Sequence, residues 1–318
     1  MKFTIAIPAF KPFYLEKAIQ SVIEQTFQDW ELIILNDASP YNIESIVKQF
    51  NDIRIHYYTN NTNVGAINVV DNWNKCLKLA KGEYIMVIGD DDFLNNNNLE
   101  EYNRLISKYP LFNIYHGRTI LVDPQNKPVF LQDGRPETES LFSALWEKIA
   151  GSRQQFIGDY LFKRTSLINN GGFYKLPLAW GSDEATIFKS IGNLGIANTN
   201  IPIFNYRINP YSITSSGNSY VKLQALDLYK TWLKHFINNI HPTNPLDILL
   251  KALIENKLEN NFLKRKIHVI AIDLAFKSFF YSISWFWKRK IFKIPFKAIL
   301  YAYVEAQKIK ISKRRHGN

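Results

Sequence analysis

The feature that most limits the fold of this chain is an apolar run that ends in three aspartates. Tyr84 to Ile88 has the length of a strand and shows no alternation of apolar and polar residues. Such a run is typical of a central strand buried on both faces of a parallel sheet. Gly89 separates it from Asp90, Asp91 and Asp92. Ligands of open α/β sheets bind outside the carboxyl ends of the strands, so a ligand site is expected there.

The chemistry of this triplet has two interpretations. Adjacent carboxylates repel one another, so all three stay ionised at low cost only beside a cation or in open water. Hard oxygen ligands on a short turn suit Mg²⁺ or Mn²⁺, particularly when a substrate phosphate completes the coordination shell. The alternative is a solvated turn in which Asp92 caps the next helix. The triplet by itself leaves both interpretations open.

Buried strand patterns alternate with helical patterns through the first part of the chain, which predicts an α/β domain with a mostly parallel sheet. The predicted helices carry apolar residues at helical spacing, as from Tyr14 to Gln25. Later strands are predicted at Ile114 to Val122 and Phe156 to Phe162, and a short helix from Gly181 to Ile191. The early strands are predicted at Phe3 to Ile7, Glu31 to Leu35, Ile53 to Tyr58 and the run described above.

Past about residue 216 the pattern becomes helical and the charge changes. The chain has 39 Lys+Arg and 28 Asp+Glu, a net charge of +11. Residues 261–318 hold 14 of the basic residues and 2 of the acidic ones, or +12, which leaves 25 and 26, or −1, for residues 1–260. We therefore predict an α/β domain over residues 1–215 and a helical, basic and aromatic region over residues 216–318.

Composition and the absence of certain motifs limit the cellular compartment and the class of protein that the chain can belong to. The one cysteine, Cys76, excludes an intramolecular disulfide and a cysteine-based zinc site and fits a reducing compartment, so a cytoplasmic location is expected. The N-terminus does not have the pattern of a signal peptide, and no apolar stretch reaches the ~18 residues of a membrane span. A G-x-G-x-x-G motif is absent, which argues against a dinucleotide dehydrogenase. A Gly-rich phosphate loop does not follow the first strand, which argues against a nucleotidyltransferase.

Five short segments follow one another along residues 1–215: Ile7-Pro8-Ala9-Phe10, Asn36-Asp37-Ala38-Ser39, Asn63-Val64-Gly65, Ala80 to Asp92, and Trp180-Gly181-Ser182-Asp183-Glu184. Together and in this order, they resemble the family 2 glycosyltransferases with the GT-A fold, over residues 1–215. The resemblance implies that the GT-A domain over residues 1–215 is catalytic and transfers a sugar from a nucleotide-diphosphate sugar, expected to be UDP-linked, to an acceptor hydroxyl. It also implies a role in surface polysaccharide or lipid-linked glycan synthesis.

The resemblance also implies roles for single residues on the donor side. Asp37 resembles the carboxylate that binds the donor base or ribose, although an Asx-turn before Ser39 is an alternative. Asn74 resembles a helix asparagine that faces the donor. The residues expected to bind the donor are Pro8, Phe10, Asp37, Asn63, Gly65, Asn74 and Asp90.

For the reaction centre, Asp91 resembles the last Asp of the D-x-D motif, the direct ligand of Mn²⁺ or Mg²⁺. Gly89 stands where many relatives have the first Asp, so Asp90 or Asp92 would supply the missing carboxylate, and Asp92 is expected as a second metal ligand. Asp183 resembles the general base of an inverting transfer, although a helix-start anion that stabilises the helix dipole is an alternative.

Two further interpretations depend on less specific features. Because Gly89 departs from the family pattern, a catalytically impaired GT-A binding or scaffold protein is the alternative function. Tyr206, Arg207 and Ser212 are predicted on a loop near the site. There Arg207 would clamp a phosphate or, alternatively, form an ordinary surface ion pair.

The tail interleaves aromatic residues with lysines between residues 267 and 303. Such a pattern fits nucleic acid or an anionic membrane, and residues 1–260 show no nucleic-acid motif. Asp273 and Lys277 in the apolar stretch favour lying on a bilayer over crossing it. We therefore predict peripheral association with the inner face of the plasma membrane and no nucleic-acid partner. The alternative is that the aromatics pack a helical cap, with the lysines solvated.

Overall fold

The strands among the described residues form one mixed sheet, and the helices near the C-terminus form a separate unit. The computed structural model describes residues 1–209, 218–276 and 283–316. The chain divides into an α/β unit, Met1–Lys148 with Ser152–Ser216, and a helical unit, Ile149–Gly151 with Gly217–Asn318.

The sheet of the α/β unit has ten strands among the described residues, with eight in the order β3-β2-β1-β4-β9-β6-β10-β5. β7 pairs with β6, and β8 pairs with β10. The strands are β1 Phe3–Ala9, β2 Trp30–Asn36, β3 Ile55–Thr59, β4 Tyr84–Val87, β5 Phe93–Leu94, β6 Ile114–Val122, β7 Pro128–Leu131, β8 Thr138–Glu139, β9 Tyr160–Lys163 and β10 Ile196–Arg207.

Helices connect these strands and make up the helical unit. Short 3₁₀ turns lie at Ala66–Asn68, Ile157–Asp159 and Pro177–Ala179. The helices are α1 Leu15–Ile23, α2 Ile43–Val47, α3 Val69–Leu79, α4 Asn98–Lys108, α5 Leu141–Ala150, α6 Arg164–Asn169, α7 Ser182–Ile191, α8 Ser219–Asn238, α9 Pro245–Phe276, α10 Trp285–Ile291 and α11 Phe296–His316.

The first four strands are parallel, which confirms the predicted α/β fold. β1 continues to Ala9, so the predicted end at Ile7, before Pro8, is wrong. The Ala6 carbonyl oxygen accepts from the Ile88 N–H, so Pro8, two residues on, faces the same side. β4 ends at Val87, so no residue of β4 lies opposite Pro8. The backbone N–H that proline lacks would therefore have had no partner in the sheet, and the proline costs no hydrogen bond there.

The second half of the sheet differs more from the sequence predictions. The segment predicted as a strand from Phe156 starts with a 3₁₀ turn, and its strand, β9, runs antiparallel to β4 and β6. β10 was not predicted, because its buried positions include asparagines. Those side chains are satisfied internally: Asn198 Nδ2 donates to Glu139 Oε1 at 2.9 Å and Asn205 Nδ2 to Asn95 Oδ1 at 2.7 Å.

A buried polar cluster lies between β6, β9 and the 3₁₀ turn before β9. Asp159, which is fully buried, accepts at Oδ2 from Thr119 Oγ1 at 3.0 Å and Gln132 Nε2 at 2.9 Å. His116 Nε2 lies 3.7 Å from the same oxygen, beyond hydrogen-bond distance. Arg135 Nη1 donates to the Tyr160 hydroxyl at 3.0 Å.

In the helical unit, some of the tail aromatics are core residues. Trp285 is buried and its Nε1 donates to Asp273 Oδ2 at 3.0 Å. Phe292 is buried against Tyr220, with ring centroids 4.9 Å apart. The predicted roles of Lys277, Phe279, Phe280 and Tyr281, and of the Phe276 side chain, lie outside the described residues. Within residues 1–209, 218–276 and 283–316, no helix is both long and apolar enough to cross a membrane.

Candidate active site

The loops that follow β1, β2 and β4 lie side by side at the carboxyl edge of the sheet. The register pairs Ala9 with Asn36 across β1 and β2, and Ala6 with Val87 across β1 and β4. The Asp37 N–H continues the first ladder by donating to the Ala9 carbonyl at 3.0 Å. This register brings the segments with Phe10, Asp37 and the three aspartates to one edge, as the sequence predicted for ligand binding.

The three aspartates turn in different directions, and Asp90 turns toward β1. Its Oδ2 accepts from the backbone N–H groups of Phe10, at 2.8 Å, and Lys11, at 2.7 Å. Burial raises the pKa of Asp90 to about 6, although these two donors lower it. Asp90 therefore holds the backbone at Phe10, whose side chain is exposed.

Asp92 turns toward β10. Its Oδ1 accepts from the Arg207 N–H at 2.9 Å, and its Oδ2 faces the Gly89 N–H at 3.4 Å. The carboxylate is buried, and burial, followed by the negative charge of Asp91, raises its pKa well above the usual range. Asp92 thus fixes the end of β10 against the turn after β4.

Asp91 is half-buried, and its Oδ2 accepts from Asn209 Nδ2 at 3.0 Å. A Cβ atom placed on Gly89 would lie 2.8 Å from Asp91 Oδ1 and 2.9 Å from Asp92 Oδ2. Two carboxylate oxygens therefore face one small space that the glycine leaves open. This donor set fits a hard divalent cation, which in such sites takes one or two carboxylates plus substrate phosphate oxygens. A cation there would also offset the repulsion that raises the pKa of Asp92.

Arg207 does not behave as either sequence interpretation expected. It belongs to β10, it is 1% exposed, and its guanidinium lies 4.0 Å from the ring centroid of Tyr14. Its Nε donates to the Asp91 carbonyl at 2.8 Å, and its Nη1 to the carbonyls of Asp123 and Pro124, both at 3.2 Å. The prediction of a surface ion pair is wrong, because the Arg207 guanidinium is buried. It instead stabilises the turn of the three aspartates by binding the Asp91 carbonyl. Ser212 lies outside the described residues.

Asp37 organises the loop after β3. Its Oδ1 accepts from Asn60 Nδ2 at 2.7 Å and from the Val64 N–H at 3.0 Å, and its Oδ2 from Asn63 Nδ2 at 3.1 Å. The side chain that bonds the following backbone is that of Asn36, whose Oδ1 accepts at 2.9 Å from the N–H of Ser39, three residues on. Asp37 and Asn63 are therefore together, as a shared donor site requires.

Asn74 is engaged by a distant part of the chain. Its Nδ2 donates to the Phe173 carbonyl at 3.0 Å, and its Oδ1 accepts from the Phe173 N–H at 2.8 Å. Gly172 has a φ of +80°, and a Cβ there would lie 2.4 Å from Asn74 Oδ1. The side chain expected to face the donor therefore clamps the segment that leads to α7. Asp71 on the same helix adds an ion pair with Lys175 at 2.7 Å.

Asp183 lies in the first turn of α7, half-buried, where the helix dipole favours a carboxylate. The backbone before it is tightly fixed. Leu178 and Ala179 have φ values of 59° and 52°, in the left-handed region, at a cost of about 1–3 kcal/mol each. The Leu176 N–H donates to Ser182 Oγ at 2.9 Å. Its neighbour Glu184 is buried and lies 3.4 Å from Lys148 Nζ.

The Pro177–Ala179 turn contacts the Ala66–Asn68 turn, so the approach to Asp183 adjoins the loop that carries Gly65. Sequence reasoning missed Asn60 and Asn209 as partners of the site carboxylates. Asn60 follows a predicted strand, a position that could have indicated it. No local pattern indicates Asn209, because its partner is 118 residues away.

Comparisons with known proteins agree with this architecture. Residues 4–155 match the family described as Glycosyl transferase family 2. Over 98 residues the chain is 34% identical to UDP-Glc:alpha-D-GlcNAc-diphosphoundecaprenol beta-1,3-glucosyltransferase WfgD of Escherichia coli, a match over 30% of this chain and 38% of that protein. The chain spans 30%, 38% and 53% of the length of three other curated relatives that it matches.

Solved structures show the same fold. The S. aureus TarS 1-349 structure in complex with UDP-GlcNAc aligns with a TM-score of 0.65 and 14% identity, over 100% of this chain and 93% of that one. Mannosyltransferase PcManGT from Pyrobaculum calidifontis, in complex with GDP-Man and Mn²⁺, aligns with a TM-score of 0.57 and 15% identity, over 96% and 87%. The α/β unit has the GT-A fold. Residues 4–155 therefore form a domain of glycosyl transferase family 2.

Proposed function

We propose that the protein transfers a sugar from a UDP-linked donor to a hydroxyl of a glycan or lipid-linked acceptor, with inversion at the anomeric carbon. The observation that carries the proposal is the set of carboxylates after β4, with Asp91 and Asp92 facing the space above Gly89. The names of WfgD and TarS supply the donor and acceptor classes, since both refer to UDP-sugars and one to a lipid-linked acceptor.

Each donor-site residue has a role that follows from its contacts. Phe10 offers an exposed ring to the nucleotide base, on a backbone that Asp90 holds. Asp37 keeps the loop with Asn63 and Gly65 in place beneath the nucleotide. Pro8 lies near the carboxyl end of β1, where it would line the nucleotide site together with Phe10. Asp91 would hold a Mn²⁺ or Mg²⁺ ion with Asp92 beside it; such an ion neutralises the charge that develops on the leaving diphosphate.

Asp183 acts as the general base. The acceptor hydroxyl gives its proton to the Asp183 carboxylate as its oxygen bonds to the anomeric carbon. The bond from that carbon to the diphosphate oxygen breaks, and its electron pair leaves with UDP. One direct displacement inverts the configuration. Asn74 positions this base indirectly, because it holds the segment that leads to α7.

Because a lipid-linked acceptor lies in a membrane, we propose that the protein works in the cytoplasm at the inner face of the plasma membrane. The basic and aromatic helical unit supports this location by its composition. Nucleic acid is not a proposed partner.

Donor turnover and donor binding test the proposal together. With a panel of UDP- and GDP-sugars and Mn²⁺, we expect hydrolysis or transfer with one donor and its loss in EDTA. Asp91→Asn should abolish turnover and weaken binding of the nucleotide diphosphate at fixed Mn²⁺. Asp133→Asn, at an exposed position away from this turn, is the matched control and should behave as wild type. Full activity in EDTA would contradict the metal role.

Gly89 favours one alternative, a GT-A protein that binds the nucleotide sugar without turning it over. The same panel separates the two functions. The alternative predicts saturable binding of UDP-sugar with no UDP released in the presence of any metal or acceptor extract. The proposed transferase releases UDP.

A further inference from the structure

A group of large apolar side chains is exposed on the last two helices of the helical unit. Trp287 is 72% exposed and Ile291 63% exposed on α10, one helical turn apart. On α11, Leu300 is 48% exposed and Val304 54% exposed, again one turn apart. Single exposed apolar residues need no explanation, but a contiguous group of them marks an interaction site.

On α11 these residues form a stripe. At 3.6 residues per turn, Phe296, Leu300, Val304 and Ile311 fall within about 80° of the helix circumference. The opposite side of the helix is buried, as Ile299, Ala302 and Ala306 show. The helix is therefore apolar on two opposite sides, and only one of them is covered within the described residues.

The core of the helical unit fixes which side faces outward. Lys266 is buried, pairs with Asp227 at 2.5 Å, and donates from Nζ to the Phe292 carbonyl at 3.0 Å. This bond and the one from Trp285 to Asp273 anchor both ends of α10. The exposed stripe is thus presented by a fixed scaffold.

Positive charge borders the stripe. Residues 283–311 contain seven Lys+Arg and one acid, Glu305, a net charge of +6. On the α11 circumference Lys297 and Lys308 lie on one side of the apolar stripe and Lys310 on the other. This arrangement is that of helices that lie in the headgroup region of a bilayer.

We propose that the basic-apolar face of α11, defined by Phe296, Leu300, Val304 and Ile311 with their bordering lysines, docks on an anionic lipid bilayer together with the exposed Trp287 and Ile291 of α10. The apolar side chains would enter the boundary between headgroups and acyl chains, and the lysines would contact anionic headgroups. The inference deepens the proposed function, on which it rests, by naming the surface that brings the enzyme to a lipid-linked acceptor.

The positive charge around the basic-apolar face favours an anionic lipid bilayer, rather than a second copy of the chain, as its binding partner. Two such faces in contact would bring together the lysines that border each stripe, in segments of net charge +6 each, and like charges there oppose association. An anionic bilayer complements the charge and accepts the apolar stripe at the same time.

The experiment is vesicle co-sedimentation of the full chain at low salt. Wild type should pellet with vesicles of equal parts phosphatidylglycerol and phosphatidylcholine and stay in solution with pure phosphatidylcholine. The triple variant Ile291→Ser, Leu300→Ser, Val304→Ser should bind at least about tenfold more weakly. Lys290→Gln and Lys297→Gln should each weaken binding about fivefold, the equivalent of ~1 kcal/mol per charge.

A matched control removes the same three residue types from exposed positions of the α/β unit: Ile53→Ser, Leu111→Ser, Val129→Ser. It should bind vesicles as wild type does. Both triple variants should keep the wild-type melting temperature, because all six side chains are exposed. Donor binding, measured without lipid, should be unchanged in both, so a failed vesicle result leaves the proposed activity to its own test.

Three results would overturn the proposal. One is equal pelleting with neutral and anionic vesicles, and another is wild-type binding by the Ile291/Leu300/Val304 variant. The third is that this variant alters the oligomeric state in sedimentation velocity while vesicle binding stays intact, because the face would then be a protein interface.

Discussion

The α/β unit buries polar side chains, whereas the helical unit exposes apolar ones. Of the 27 large apolar side chains that are exposed among the described residues, 13 belong to the helical unit, which is about a third of the chain. Its buried charged or polar residues in the same range are Lys222, Asp247, Lys266 and Asp273. The α/β unit buries many more, mostly with hydrogen-bonded partners.

This difference in what is buried and what is exposed suggests different roles for the side chains of the two units. A buried hydrogen bond fixes the position of a side chain, since losing a partner leaves an unsatisfied group at a cost of about 1–3 kcal/mol. An exposed apolar side chain does not hold other parts of the folded chain in place, and it can contact a lipid bilayer or another molecule. The predictions below test whether substitutions in the two units differ as this comparison requires.

The largest effect is expected for Asp183, the proposed general base, in the α/β unit. Asp183→Asn should lower kcat by roughly 10²–10⁴-fold, because no carboxylate remains to take the acceptor proton, and should leave donor affinity nearly unchanged. Steady-state kinetics and donor titration measure the two quantities.

Glu184→Gln is the neighbouring control, since Glu184 is paired with Lys148 and has no proposed part in the chemistry. It should retain most of the turnover. If Asp183→Asn loses donor affinity as strongly as turnover, the residue is structural or binds the donor.

A smaller effect concerns pH and the buried cluster of the α/β unit. Burial, with a contribution from the charge of Arg135, lowers the pKa of His116 to about 4, although Asp159 opposes this shift. The folded protein therefore binds this proton less readily than the unfolded chain. Stability should fall as pH drops from 6.5 toward 4, by about 3 kcal/mol from this group.

Urea unfolding at pH 7 and at pH 4.5 measures the change, followed for the α/β unit. His116→Gln should reduce the difference between the two pH values. His241→Gln, at an exposed histidine of the helical unit, should leave it as in wild type. Equal behaviour of both variants would show that His116 does not govern the loss at low pH.

The smallest effect concerns the clamp between α3 and the segment before α7. Asn74→Ala removes both partners of the Phe173 backbone and should destabilise the protein by about 2 kcal/mol. If the clamp positions the base, kcat should also fall, with little change in donor affinity. Asn256→Ala, at an exposed position on α9, should change stability by less than about 0.5 kcal/mol.

A double-mutant cycle separates positioning from general loosening. In the Asp183→Asn background, Asn74→Ala should lower kcat little further, because the base that it positions is already absent. Fully additive losses would mean that the clamp acts on something other than Asp183.

Much of the α/β fold was predictable, because parallel strands that are buried on both faces have uninterrupted apolar sequences. β2 and β6 match their predicted spans within one residue at each end. β10 was not predictable in this way, because Asn198 and Asn205 interrupt its apolar pattern. Their polarity is compensated by Glu139 and Asn95, which lie far away in sequence.

The composition of the site was also predictable, whereas its geometry was not. Side chains at strand ends could be named from sequence, including Asp37 and the aspartates after β4. The direction in which each aspartate turns depends on partners 79 to 118 residues away, namely Lys11, Phe10, Arg207 and Asn209. The roles of single site residues remain predictions that the proposed substitutions test.

Gly89 limits which residues this turn can accept. A Cβ atom at position 89 would lie 2.8 Å from Asp91 Oδ1 and 2.9 Å from Asp92 Oδ2. Asp92 cannot give way without releasing the Arg207 N–H, and Asp91 cannot without leaving Asn209. Any side chain at position 89 would therefore require prior changes at these neighbours. An attempt to engineer a further carboxylate into the turn by a single substitution would pass through an impaired protein.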